Sequence, residues 1–188
     1  IYEIFKKLKK EGKIKKFGIS SYYPEKMHKV YKHFKFEAVQ VPFNIFDQRL
    51  LESKIYKLNS FKKIEIHVRS IFLQGILLRK NHLKYFDKWK KNIALYLNFL
   101  KKENLNPVSF CLSFVMNFKK IKGVIFGVKD YNQLKEIIKF KKKKIKINSQ
   151  FCKKLKINDK NILIPMNWKK IHLKTNKFRL QTLNNYKV

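Results

Sequence analysis

Four short stretches of the chain carry the polar and conformationally permissive residues that could do chemistry. They are Ser20-Ser21-Tyr22-Tyr23; the run from Gln40 through Asn44 and Asp47 to Arg49; the run Arg69-Ser70 through Phe72, Gln74 and Gly75; and Gly127 through Lys129 to Gln133 and Glu136. Each mixes hydrogen-bonding side chains with small residues, as a surface that holds and orients a ligand does. None reads as a reacting centre: no Ser-His-Asp or Cys-His set, no pair of carboxylates and no P-loop is evident. The five histidines (His28, His33, His67, His82, His172) have no ligand spacing, so no metal is expected. Asp47 with Arg49 reads as a structural pair before an acid catalyst. Cys111 lies in an apolar stripe and reads as core.

These stretches are placed by alternating elements. Ile4, Phe5 and Leu8 at helical spacing predict a helix over Tyr2 to Glu11, stopped by Gly12 and with that face inward. Strands are expected at Lys16–Ser20, Phe36–Val41, Ile64–Val68 and the fully apolar Gly123–Gly127. Helices are expected from Pro24, with Met27, Val30, Tyr31 and Phe34 on one face, over Gln48–Asn59, over Phe86–Leu100 and from Asn106-Pro107. The last clear helix is capped by Asp130, with Gln133 completing a capping box. Four strand–helix alternations mean parallel strands with crossover helices: a doubly wound sheet or part of a (β/α)8 barrel, whose whole usually needs about 250 residues. In either fold ligands bind beyond the C-terminal ends of the strands, where the four stretches fall.

Composition bounds the alternatives. A chain of 188 residues, 45% hydrophobic, is long enough for one domain with a real core. Its formal net charge of +34 invites a nucleic-acid-binding reading. Yet the cations are almost all lysine, with arginine only at four positions, and residues with A/T-rich codons dominate. An AT-biased genome therefore accounts for much of the charge, and no specific nucleic-acid partner is expected. A non-catalytic nucleic-acid-binding protein stays open as the alternative. Two cysteines are too few for a disulfide framework, and no apolar run is long enough to cross a bilayer. A cytoplasmic location and no membrane partner are expected. Because the chain opens on Ile1, it reads as a piece of something longer. Residues 1–140 form the expected body, 141–173 a basic extension packing on or near it, with the lysines of 141–146 barring tight packing there and Ile162 to Pro165 and Trp168 returning to the body. Residues 174–188 read as a loose tail.

The strand ends carry a resemblance. Gly12-Lys13-Ile14-Lys15-Lys16-Phe17-Gly18-Ile19-Ser20, then Val39-Gln40-Val41-Pro42-Phe43-Asn44 with Asp47 and Arg49, then Arg69-Ser70-Ile71-Phe72-Leu73-Gln74-Gly75-Ile76-Leu77, then Val124-Ile125-Phe126-Gly127-Val128 with Gln133-Leu134-Lys135-Glu136, together resemble segments of the aldo-keto reductases in order and spacing. The second and third segments are most similar to the bacterial branch found with surface-sugar biosynthesis.

The resemblance implies an α/β fold that is a partial (β/α)8 TIM barrel of about four βα units, strands five to eight, with the catalytic N-terminal half absent. It implies NADP as cofactor, a small-molecule carbonyl substrate, and an N-terminal barrel half as partner, in the same or a separate chain. Alone, this chain would supply no catalytic Asp, Tyr, Lys or His and would be inactive, or it would be a cofactor-sensing pseudoenzyme. Ser20, Ser21 and Gln40 would hold the nicotinamide carboxamide; Ser21 stands where the family often has Asn, and both serines double as a helix-start cap. Arg69 stands where many members stack an aromatic on the ring; it would line the cofactor, face a substrate anion or pair with a carboxylate. Ser70, Phe72, Gln74 and Gly75 would meet the pyrophosphate. Gly127, Lys129, Gln133 and Glu136 would grip the adenosine end, Lys129 neutralising the 2′-phosphate, although Ile137 replaces the family's Asn. Tyr22 and Asn44 would shape the substrate end.

Overall fold

A computed structural model describes residues 1–80, 84–141 and 145–168 of the chain. Helix α1 (Tyr2–Lys10) ends in a Schellman turn, in which the N–H groups of Gly12 and Lys13 reach back to the carbonyls of Lys9 and Leu8. Gly12 takes φ +72 there, a conformation that costs a side chain but not glycine. Strand β1 (Gly18–Ser20) follows, then α2 (Met27–His33) behind a one-turn 3-10 segment at Pro24–Lys26, then β2 (Ala38–Pro42). Two short helices, α3 (Arg49–Glu52) and α4 (Lys54–Lys57), lead to β3 (Glu65–Arg69). Helices α5 (Lys90–Lys102) and α6 (Pro107–Met116) precede β4 (Ile121–Val124), and α7 (Tyr131–Lys141), α8 (Ser149–Lys154) and α9 (Lys160–Leu163) complete the described chain.

The four strands are parallel and lie in chain order β1-β2-β3-β4, with Ser20 opposite Gln40 and Pro42 opposite Arg69. A doubly wound sheet reverses its order at a switch point; this sheet does not, and it is a four-unit arc of a barrel. Its two faces differ. Val39, Val41, Ile66 and Val68 are buried under helices, whereas Ala38, Gln40, Glu65, His67 and Arg69 alternate with them and stay half-exposed on the open face. Gly18 sets the closeness of β1 and β2, because a Cβ there would sit 2.4 Å from the Ala38 carbonyl oxygen.

The core sits between the sheet and α6. Asn106 caps α6 by accepting from the Val108 and Ser109 N–H groups at 2.9 and 3.2 Å, and Pro107 fills its first turn. Phe43 packs on Phe114 and Phe118, with ring centroids 5.2 and 5.1 Å apart, and the buried Tyr96 donates to the Leu77 carbonyl. Segment 145–168 is stitched onto this body. Ile157 N donates to the Phe46 carbonyl, Gln48 Nε2 to the Cys152 carbonyl, and Phe151 stacks on Phe99 at 4.0 Å. Leu155, Ile162 and Leu163 are buried, and Trp168 is closed in beside Phe86. Ile145, inside the lysine-rich run, is partly buried against the core. The expected tail at 174–188 lies outside the described residues, as do His82, His172 and residues 142–144. No described helix is long and apolar enough to cross a membrane.

Several expectations are corrected in detail. The helix expected over Gln48–Asn59 is two helices, because Ser53 is extended (φ −70, ψ 147) and its hydroxyl donates back to the Leu50 carbonyl at 2.6 Å. The helix expected from Phe86 begins as a 3-10 segment, Lys84–Trp89, and is α-helical only from Lys90. The last strand is Ile121–Val124 rather than Gly123–Gly127, since β4 pairs with β3 through a register shift at Ile66/His67. On α1, Ile4 remains exposed rather than inward; Phe5, though partly exposed, stacks on Phe17 at 5.7 Å, and Tyr2 makes T-shaped contacts with Phe17 and Phe34. Phe34 too is exposed.

Both thiols belong to the interior. Burial pushes Cys111 up to about 12, against a modest pull from the Tyr96 hydroxyl 3.5 Å away, and pushes Cys152 up to about 11. The thiolate is the reacting form. Native protein at pH 8 is therefore expected to react with iodoacetamide at least about 100-fold more slowly than the urea-unfolded chain, whose thiols return to about 8.5; comparable rates would show that the interior opens.

Candidate functional site

The sequence-predicted residues meet along the C-terminal ends of β1, β2 and β3, on the open face. Register sets Ser20 beside Gln40, and the Ser20 hydroxyl donates to Gln40 Oε1 at 3.1 Å. Ser21 N donates to the Gln40 carbonyl, while the Ser21 hydroxyl accepts from the Tyr23 N–H at 3.0 Å. Ser21 is thus spent on the local turn ahead of Pro24. The Gln40 amide N–H groups have no acceptor among the described residues and remain available.

Arg69 ends β3 opposite Pro42, two residues beyond Gln40 along β2. Its guanidinium carbon lies 4.0 Å from the centroid of the Tyr22 ring, and Nη1 donates to the Ser70 hydroxyl at 3.3 Å. No carboxylate pairs with it among the described residues, so the carboxylate-pair alternative for Arg69 is not realised there. Below this rung the open face is polar as well. His67 Nε2 lies 3.5 Å from Glu65 Oε2, and Glu65 pairs with Lys16, which holds the Glu65 carboxyl below its usual range. Gly123 makes room for the His67 ring, since a Cβ there would come within 3.1 Å of it. This polar floor lies outside the sequence-predicted residues. The Glu65-x-His67-x-Arg69 alternation was the available signal.

The loop after β3 is conformationally unusual. Ser70, Leu73 and Gln74 take left-handed φ values of 56, 45 and 53, and Gly75 takes 87. Each non-glycine residue there costs about 1–3 kcal/mol, and such strain gathers at ligand sites. Buried Ile71, Leu73, Ile76, Leu77 and Leu78 anchor the loop and hold it in that form. Gln74 stands exposed, and Phe72 is half-buried with its ring 6.5 Å from that of Phe126. Only Gly75 signalled this conformation in the sequence.

Asn44 does not face the site. It is buried, its Oδ1 accepts from the Phe46 and Asp47 N–H groups at 2.9 Å, and its Nδ2 donates to the Ser70 carbonyl at 3.0 Å. It ties the loop after β2 to the loop after β3. Beneath it, Arg49 grips Asp47 with Nε at 2.8 Å and Nη2 at 2.7 Å. Burial pushes the Asp47 carboxyl up, and the guanidinium pulls against it. This is the structural pair that the spacing suggested.

Around β4 the expected residues are more dispersed. Gly127 is open, with nothing within 4 Å of the place a Cβ would take. Lys129 is exposed, but Gln133 is engaged: its Oε1 accepts from the Lys129 N–H at 2.8 Å, and its own N–H donates to Asp130 Oδ1 at 3.0 Å. That is the capping pair at the start of α7, so the Gln133 side chain is committed to the helix end. Glu136 is partly buried, which raises its carboxyl, and Ile137 is buried in the core. No group of three or more metal-ligating side chains is found among the described residues.

The sequence model of the Aldo/keto reductase family matches residues 1–157. No curated protein matches the chain. Among solved structures, an aldo-keto reductase from Bacillus halodurans in its holo form superimposes with a TM-score of 0.64 at 20% identity, over 82% of this chain and 54% of that one. Its apo form gives 0.63 at 20% identity, over 82% and 55%. The chain therefore spans about half the length of these structures.

Proposed function

The chain belongs to the aldo/keto reductase family, and from that premise we propose that it supplies the cofactor-binding half of a cytoplasmic NADP(H)-dependent oxidoreductase acting on a small carbonyl or alcohol. The observation that carries the proposal is the pairing of Ser20 with Gln40 on the open face, beside the strained loop of residues 70–75. The cofactor would supply the hydride. Gln40 presents amide N–H donors to a carboxamide, and Ser20 orients Gln40. The 70–75 loop, with its small residues and left-handed backbone, suits a pyrophosphate. Exposed Lys129 suits a 2′-phosphate.

The other half of the barrel is the expected partner. The outer flanks of the sheet carry exposed apolar side chains: Ile4 on α1 beside β1, and Leu134 and Ile138 on α7 beyond β4. A barrel completed by four more strands would cover both flanks and remove two free strand edges. It would also bring the proton donor, for which this chain has no assigned residue.

The test joins this chain to an N-terminal half barrel of the family. NADPH binding is read by fluorescence and turnover by NADPH oxidation with a panel of aldehydes. The chain alone is expected to show no turnover, and the completed barrel to show binding and turnover. Gln40→Leu in the completed barrel is expected to weaken NADPH binding about tenfold, the worth of about 1.4 kcal/mol of hydrogen bonding. Lys129→Glu should erode the preference for NADPH over NADH. A completed barrel that does not bind NADPH, or turnover by the chain alone, overturns the proposal. Binding without turnover would leave the cofactor-sensing reading.

A further inference from the structure

We propose that Arg69 is the anchor for an oxyanion on the carbonyl substrate, so that the substrate class is a carbonyl compound carrying a carboxylate or a phosphate ester. The inference rests on the assignment of this strand-end site to a reductase, and it concerns what the site selects.

Three observations carry it. First, the guanidinium is half-buried and has no carboxylate partner among the described residues, whereas Arg49, deeper in the same region, has Asp47 at 2.7 Å. The Arg69 N–H groups other than the one on Ser70 have no acceptor among the described residues and are not closed off from solvent, so an anionic ligand can take them up. Second, the group is pre-oriented. Tyr22 covers its face at 4.0 Å and the Ser70 hydroxyl takes one N–H from Nη1. The Tyr22 ring takes none of the guanidinium N–H groups, and those not given to Ser70 keep the fork geometry that fits a carboxylate or phosphate. Third, its position suits the substrate end. Tyr22 follows β1, so its contact with the guanidinium spans the end of β2, two residues beyond the Ser20–Gln40 pair. A ligand held by its edge would lie over that pair, at the mouth of the site. The chain's arginines are only four, against many lysines, and a lysine would offer the charge without the fork.

The test is an arginine footprint on the chain itself. Phenylglyoxal modification is followed by peptide mass spectrometry at roughly 0.3 M salt, which screens the general lysine field. The probes are pyruvate, inorganic phosphate, acetone as the neutral control, and NADPH. Pyruvate or phosphate at about four times its Kd should slow modification of Arg69 about fivefold, leaving Arg79 unchanged. Acetone should leave Arg69 unprotected. Protection by pyruvate only assigns a carboxylate, and by phosphate only a phosphate ester. Tyr22→Leu should abolish the protection while leaving the far-ultraviolet circular dichroism intact. Protection by NADPH alone would make Arg69 a cofactor residue and overturn the inference. So would equal protection of Arg79, or no protection at all. A separate NADPH fluorescence titration of the completed barrel tells the two proposals apart: Arg69 protection without NADPH binding by that barrel keeps the anion site and sinks the cofactor reading.

Discussion

Arg49→Met is expected to cost about 3–5 kcal/mol at pH 7, the usual consequence of stripping a buried charge of its partner. Asp47 is fully buried, and both its oxygens lie on the guanidinium of Arg49. Burial is already the largest influence on its carboxyl and raises it; Arg49 is the main opposing one. Without Arg49 the folded-state pKa rises further above the unfolded value of about 3.9. A group raised in this way favours the fold while it is protonated, and that contribution is lost as pH rises through the folded pKa. The variant should therefore be weakest at neutral pH and recover part of its loss near pH 4.5. Urea unfolding at the two pH values measures this. The double variant Asp47→Asn with Arg49→Met should lose the pH dependence and be more stable at pH 7 than the single one. A loss equal at both pH values would show that Asp47 is not the orphaned charge.

Trp168→Ala is expected to cost about 3–5 kcal/mol, the range for removing a large buried aromatic. Trp168 is 4% exposed, its indole N–H donates to the Ile162 carbonyl at 3.0 Å, and its ring meets Phe86 edge-on at 5.1 Å. Trp168→Phe keeps most of the apolar contact and loses the hydrogen bond, so it should cost about 1 kcal/mol more than a conservative core swap. Both are measured by denaturant unfolding. A Trp168→Ala variant within about 0.5 kcal/mol of the parent, as surface substitutions are, would mean that segment 145–168 is not part of the cooperative core.

Legibility differed between the parts of the molecule for physical reasons. The β2 and β3 strands were visible because a sheet with one face under helices writes its burial as alternation, and Val39, Val41, Ile66 and Val68 obey it. The α6 start was visible because Asn106-Pro107 solves the problem of the first unpaired N–H groups locally. The break at Ser53 was hidden, since a serine is compatible with a helix until its hydroxyl finds the Leu50 carbonyl. The offset of β4 was hidden because pairing with β3, and the room Gly123 leaves for His67, is a property of two strands together.

The site divides along the same line. By itself, the sequence determined which residue types lie at or near the strand ends, because a residue's place in its own strand is local: Ser20 ends β1, Arg69 ends β3 with Ser70 next, and Gln40 lies two residues before the end of β2. It also determined the capping role of Asp130 and Gln133, which lie three residues apart. Tertiary structure alone decided what those residues face. Asn44 was drawn inward by the backbone of its own loop and by Ser70, 26 residues away. Tyr22 and Arg69 met across the end of β2, and the left-handed turns at Ser70, Leu73 and Gln74 were imposed by the buried side chains on either side of them. Contacts between residues far apart in sequence depend on the register and closeness of whole elements, and no local propensity encodes those.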